Sequence, residues 1–285
     1  LYGTASKPKV GKSILLSNLA VSVARGDDWL GRRTTQGQVY IFQLEDSEHT
    51  LERRFRCMTG GKWSKNIHLH TEPFALSAEN YDATVDALKD AMLVILDPII
   101  QAAGVRDWHD ATEVRDAYEF WRRLARDTDA TVVLAAHHRK SEGDHGDAMS
   151  GSIHAQATVD GIIELYRDKN LAQDERRLTF TGRDWNDMPD EVITLDAYTL
   201  TWTPNGRYSE VKEIAEAAKS QVAEIQLLDV LPTEGDGVTY EDIQAETGFG
   251  EAKVRGIIKK LGHEVGLAEG ATHGRGNKKR FIRTT

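Results

Sequence analysis

Apolar residues fall in two rhythms along the chain, and the rhythms alternate. Residues 38–44 (QVYIFQL), 92–97 (MLVILD) and 131–136 (TVVLAA) are short, nearly unbroken apolar runs rich in β-branched side chains, which predicts buried strands. Residues 12–24, 49–58, 81–91 and 110–127 repeat their apolar positions every three or four residues, which predicts helices. Strand and helix in alternation predict an α/β domain around a mainly parallel sheet. Residues 67–69 read as one more short strand, 60–73 otherwise as loop, 99–108 as a loop, and 141–152 (SEGDHGDAMSGS) as a Gly- and Asp-rich loop without periodicity. Past residue 160 the rhythm shortens. Residues 161–166, 177–181, 192–195 and 199–203 read as strands separated by turns, an antiparallel extension of the sheet interrupted by Gly182-Arg183-Asp184. Asn205-Gly206 closes this first domain, taken as residues 1–206.

Residues 207–285 read differently. An Ala- and Glu-rich helix spans 209–230, a capped helix ends at Thr247, Gly248 makes a turn, and a second helix spans about 250–261. Gly266-Leu267 and residues 280–283 then bracket a Gly/Lys/Arg-rich loop. Helix, tight turn, helix and basic hairpin is the order of a small winged helix-turn-helix domain.

Charge sharpens that division. The net charge is −9, yet residues 253–285 carry nine Lys/Arg against two Asp/Glu, or +7, which leaves −16 on the rest. A basic segment on an acidic body suits contact with a polyanion. Lys253, Arg255, Lys259 and Lys260 fall on the second helix, and Arg275, Lys278, Lys279 and Arg280 on the hairpin. These are the candidate DNA contacts, in the major groove and on phosphates respectively. Cys57 is the only cysteine, which excludes an intramolecular disulfide and a thiolate zinc site and fits a reducing cytoplasm. No apolar run is long enough to span a bilayer, so no membrane partner is expected. Leu1 is not a methionine; the strand feeding the first loop is expected only in part, as Leu1-Tyr2.

The candidate chemistry gathers at strand ends. Residues 6–13 (SKPKVGKS) match the phosphate-binding pattern G-x-x-x-x-G-K-[ST] except at the first position, where Ser6 stands for Gly. Gly11 lets backbone N–H groups turn inward, with Lys9 and Val10 in the loop and Ile14 in the first helical turn. Lys12 is placed to reach the β- and γ-phosphates of ATP, and the Ser13 hydroxyl to ligand Mg²⁺. Asp97 closes an apolar strand and is the second candidate Mg²⁺ ligand. Glu45 follows another strand, beside Asp46 and Ser47, which suit helix capping better. His137, His138, Arg139 and Lys140 follow a third, where a polar group can touch a γ-phosphate. His68 and His70 alternate about Leu69 without a third ligand and are expected on a solvated strand face.

These features together resemble the RecA-like ATPases of the plasmid RepA helicase group, relatives of replicative DnaB-type helicases. The resemblance runs from residue 1 to about 204 and rests on PKVGKS (8–13), LED (44–46), the acid at 97, HHRK (137–140) and GRD (182–184). It implies a catalytic base at Glu45, a γ-phosphate sensor at His138 and an adenine-packing arginine at Arg54. It also implies an arginine, Arg183, that reaches the neighbouring subunit's site across a ring, taken as a hexamer threaded by single-stranded DNA. Ser150-Gly151-Ser152 departs from the family's Arg-Gly-Ser. Two other readings stay open on sequence: an ATP-regulated DNA-binding protein that does not unwind, and a small-molecule kinase, which has no use for a winged helix.

Overall fold

The computed structural model describes residues 1–72, 78–102, 105, 111–137, 158–183, 185, 188–268 and 279–284. These fall into two compact units, 1–211 and 212–285.

The first unit is built on a nine-stranded sheet. Its strands are β1 (Tyr2–Ser6), β2 (Gln38–Gln43), β3 (Ile67–His70), β4 (Ala91–Asp97), β5 (Thr131–His137), β6 (Gly161–Tyr166), β7 (Glu175–Gly182), β8 (Glu191–Asp196) and β9 (Thr201–Arg207), in the order β3-β2-β4-β5-β1-β6-β7-β8-β9. Every pairing from β3 to β6 is parallel, and from β6 to β9 antiparallel. The expected extension of a parallel core by an antiparallel meander is therefore what forms.

Helices α1 (Lys12–Arg25), α2 (Glu48–Thr59), α3 (Tyr81–Ala87), α4 (Ile99–Ala102) and α5 (Ala111–Thr128) belong to this unit. Both faces of the parallel strands must be covered, which is why those strands read as continuous apolar runs. One cluster joins Leu16, Ala20 and Val23 of α1 and Phe55 of α2 to Val39, Ile41, Leu93, Ile95 and Val133. A second joins Val114, Tyr118, Trp121 and Leu124 of α5 to Val94, Leu96, Val132 and Leu134. Alternate residues of β4 and β5 thus serve opposite faces.

Three expectations shift. β1 is five residues long, and Ser6 is its last, paired in register with His137 and Leu165. The helix expected to run to residue 91 ends at Ala87, and Ala91 already pairs with Gln38 in the sheet. The loop expected over 99–108 opens with the short α4. His68 is half-buried and His70 exposed, on one face of β3 as expected, and their rings also stack on Tyr40 at 4.6 Å and Phe42 at 4.9 Å across β2 and β3; partial desolvation lowers the pKa of His70.

The second unit takes α6 (Tyr208–Val230) from Lys212 onward, α7 (Tyr240–Thr247), α8 (Glu251–Leu261) and the antiparallel pair β10 (Val265–Leu267) and β11 (Phe281–Arg283). Thr239 and Asp242 form a reciprocal capping box at the start of α7, and Gly248 at φ 70° ends it. Leu227, Ile243, Val254, Ile257 and Phe281 make its core.

At the start of β6 and the end of β7, Gly161 and Gly182 face each other beneath the Trp185 ring, which stacks on Tyr2 at 5.1 Å. A Cβ on Gly182 would lie 2.9 Å from the Asp160 carbonyl oxygen and the Gly161 Cα, backbone atoms that cannot swing aside. Gly182→Ala should therefore lower unfolding free energy by about 1–3 kcal/mol, the usual cost of overpacking. Urea denaturation measures it, and a loss under about 0.5 kcal/mol would mean that the strand ends yield freely.

Candidate functional site

The carboxyl ends of β2, β4, β5 and β1 lie side by side, and the polar groups singled out at strand ends meet there. Gln43 pairs with Asp97, and Ser6 with His137, so the acid after β4 and the loop after β1 leave the sheet at one edge. In an open α/β sheet this edge holds the ligand crevice.

The loop from β1 to α1 has the geometry of an anion cradle. Lys9 has φ 63° and Gly11 has φ 115°, so successive N–H groups turn to one side. Gly11 begins α1 without a side-chain cap, so the first amides of the helix remain available to a ligand. The Ser6 departure is explained here. Ser6 is a buried, paired strand residue, and the left-handed conformations fall at Lys9 and Gly11 instead. Ser13 and Ile14 are half-buried in the first turn of α1.

Lys12 and Asp97 form the centre. Lys12 is 5% exposed and Asp97 1%, and Nζ lies 3.2 Å from Oδ1. The other oxygen, Oδ2, is buried and has no hydrogen-bond partner. Two buried opposite charges offset each other's desolvation, while an unpartnered carboxylate oxygen asks for a further donor or a cation. Among the described residues no cluster of three or more His, Cys, Asp or Glu stands ready for a metal. One carboxylate and one hydroxyl beside a phosphate loop suit Mg²⁺, which keeps most of its waters and takes phosphate oxygens.

Glu45 is exposed in the turn after β2, on the same edge. Ser47 caps α2 and accepts from the Thr50 amide, as expected of it. Asp46 does not cap: it holds Arg54 at 2.9 Å, and Arg54 Nη1 is buried without a partner. His138 and Lys140 lie outside the described residues, as do residues 150–152. Arg183 is exposed and sits at the other end of the sheet, its amide donating to the Asp160 carbonyl. A cleft of about 1190 Å³ at that same end is lined by Tyr2, Tyr81, Arg123 and Asp160, away from the phosphate loop.

Residues 4–143 match the AAA domain family AAA_25. The core is a RecA-like P-loop ATPase. Its fold is similar to that of a solved ATPase domain, at 13% identity and a TM-score of 0.57, covering 71% of this chain and 83% of that one. It is equally similar to a DnaB-like replicative helicase solved in a study of its interactions with primase, again at 13% identity and 0.57, covering 71% of this chain and 57% of that one. No curated protein matches the chain.

The ATPase core also holds residues that sequence patterns did not single out. Arg176 and Trp202, from the antiparallel strands, press against the phosphate loop, and Asn18 of α1 accepts from the Trp202 amide. No periodicity marks an arginine or a tryptophan as the partner of a loop so distant along the chain.

In the second unit those candidate DNA contacts that lie among the described residues are exposed. Lys253 sits over the Phe249 ring at 3.6 Å, and Arg255 pairs with Glu251 and lies over Tyr240. Lys260 is held by Glu224 and Ser220 of α6. Lys259 and Lys279 are exposed, Arg280 donates to the carbonyls of Asp236 and Gly237, and Lys278 and Arg275 lie outside the described residues.

Lys12→Met strands Asp97 as a buried unpaired charge. It should abolish ATP hydrolysis and cost about 3–5 kcal/mol of stability in chemical denaturation. Adding Asp97→Leu should recover most of that stability and none of the turnover. Turnover in the double variant would remove both residues from the ATPase site.

Proposed function

We propose that this ATPase is a ring-forming replicative DNA helicase of the plasmid RepA type, with ATP hydrolysed between neighbouring copies. The observation that carries the reading is where Arg183 lies. Gly182 pairs with Gly161, and Gly161 with Tyr2, so Arg183 leaves the sheet at the end opposite its own phosphate loop. That is roughly 17 Å along the strand axis from Ser6 and two strand spacings to the side, beyond the reach of one side chain. An arginine there is suited to a second copy's site and not to its own. The likeness in fold to helicase ATPase domains supports the same reading.

In this reading the loop amides and Lys12 bind the phosphates, Lys12 exchanging its contact with Asp97 for them. Ser13 and Asp97 would hold Mg²⁺, which would supply positive charge against the β- and γ-phosphates. Glu45 accepts a proton from the attacking water, His138 touches the γ-phosphate, and Arg54 packs against adenine. Arg183 of the neighbouring copy stabilises charge as the γ-phosphoryl group departs, in the bidentate manner open to a guanidinium. Single-stranded DNA threads the ring, taken as a hexamer, and the second unit acts as a winged helix on duplex DNA. The setting is the cytoplasm. Among the described residues no helix is long and apolar enough to cross a membrane.

Glu45→Gln should keep ATP affinity and lose turnover by on the order of 10²-fold or more, and Arg183→Ala by about 10³-fold. Mixing the two inactive proteins should restore turnover, because some sites then pair an intact Glu45 with a neighbour's intact Arg183. No recovery in rings shown by native mass spectrometry to contain both variants rules out action across an interface. ATP-dependent strand displacement by the wild type separates a helicase from an ATP-regulated DNA-binding protein.

Ending the chain after Gly206 should leave the ATPase and remove most duplex affinity, since the +7 segment goes with it. In the full chain the logarithm of affinity should fall with the logarithm of salt by about 0.9 per phosphate contacted, measured by fluorescence anisotropy. Equal affinity and equal slope with and without residues 207–285 would assign the second unit to protein contacts.

A further inference from the structure

The phosphate loop is held from outside its own motif. Arg176, on β7, is 5% exposed, and its Nε donates to the Val10 carbonyl at 2.9 Å. Its Nη1 donates to the carbonyls of Gln173 and Glu175 at 2.7 and 2.6 Å, which fixes the plane of the guanidinium. Its Cζ lies 5.9 Å from the centre of the Trp202 ring. Trp202, on β9, is also 5% exposed, and its ring edge comes within 2.7 Å of where a Cβ on Gly11 would stand. The Trp202 amide donates to Asn18 Oδ1 at 2.6 Å, and Asn18 Nδ2 donates to the Leu200 carbonyl at 2.9 Å. Loop, α1 and the two antiparallel strands are thereby tied at three points.

The geometry has a chemical meaning. The peptide joining Val10 to Gly11 is planar and trans, so its carbonyl and its N–H point in opposite directions. Arg176 holds the carbonyl, and so fixes the opposite direction for the Gly11 N–H. A phosphate seated in the loop would take that N–H. Nothing else about Gly11 fixes that choice, since glycine tolerates either sense of the peptide. The Trp202 ring lies against Gly11 on the side a Cβ would occupy.

We propose that Arg176 and Trp202 are positioning residues of the ATPase site, which orient the Val10–Gly11 peptide so that the Gly11 N–H serves the nucleotide phosphates. This rests on the ATPase activity of the core and not on a ring or on DNA. The donor aimed by Arg176 contacts nucleotide before and during hydrolysis alike, so its loss weakens binding more than it slows the chemical step.

The test compares wild type with Arg176→Met, Arg176→Lys and Trp202→Phe in the full chain, by steady-state ATP hydrolysis, ADP titration followed by tryptophan fluorescence, and thermal melting. Arg176→Met should raise the KM for ATP and the Kd for ADP together by about tenfold, with kcat within about threefold. Arg176→Lys, which keeps a cation and one donor, should fall between the two. Trp202→Phe keeps a ring against Gly11 and should bind ADP, yet lose most of the fluorescence change on binding, because Trp202 is the indole that lies against Gly11 of the loop. If folded Arg176→Met melts earlier but keeps KM and Kd within about twofold, the contact is packing alone and the proposal fails. If Arg176→Met does not fold, Arg176→Lys decides: KM for ATP and Kd for ADP both within about twofold of wild type overturn the proposal, and a joint rise in the two with kcat kept upholds it.

Discussion

A parallel sheet delivers the ends of its strands to one edge, and at that edge the backbone can no longer satisfy itself. Here Lys12 and Asp97 meet behind the phosphate loop, both almost wholly buried. Neither charge is tolerable there alone, since a single buried ion costs several kcal/mol even after relaxation. Lys12 begins a helix, Asp97 ends a strand, and their contact requires β1, β5 and β4 to be adjacent and in register. The sheet order satisfies that requirement, and Leu44 donating to the Asp97 carbonyl fixes the acid from the other side. The pair is therefore a product of the fold and, in the proposed ATPase site, the place where a phosphate would compete for Lys12 and gain a hold on it.

Much of this is legible in the sequence. Apolar runs ending in Asp97 and in His137 mark central strands, because only a strand covered on both faces carries so few polar residues. SKPKVGKS marks the loop because its glycine and lysine do jobs that other residues do poorly. What is not legible lies in long-range contacts and in strain. Ser6 looks like a defect in the motif, but no pattern of residue types says that the position belongs to β1 and needs no left-handed backbone. The helical pattern over 81–91 overshoots by four residues because Ala-Leu-Lys-Asp-Ala suits a helix locally, whereas Ala91 gains more as the first rung of β4. Arg176 and Trp202 carry no signal, since their meaning depends on strands that fold back on a loop at the far end of the unit.

The second unit shows how little a count of charges says about how they are held. Nine basic residues fall between 253 and 285, but Lys260 is spent in part on Glu224, and Arg255 shares its helix turn with Glu251. An exposed pair one helical turn apart is worth only about 0.3–0.5 kcal/mol, so a phosphate can replace the carboxylate at small cost. Such pairs hold long side chains extended and in place, which would lower the entropy lost in the proposed contact with duplex DNA.

Strand β7 has a property that neither of its ends reveals alone. Arg176 near its start grips the chain's own phosphate loop, and Arg183 just past its end stands on the opposite rim of the sheet. Between them runs roughly 24 Å of extended backbone, paired to β8 at its start and to β6 along the rest, and so resistant to stretching. Such a strand behaves as a push-rod. In the proposed ring, whatever engages Arg183 would act on the same rigid element that holds the Val10 carbonyl, and the sites of two copies would share one mechanical part.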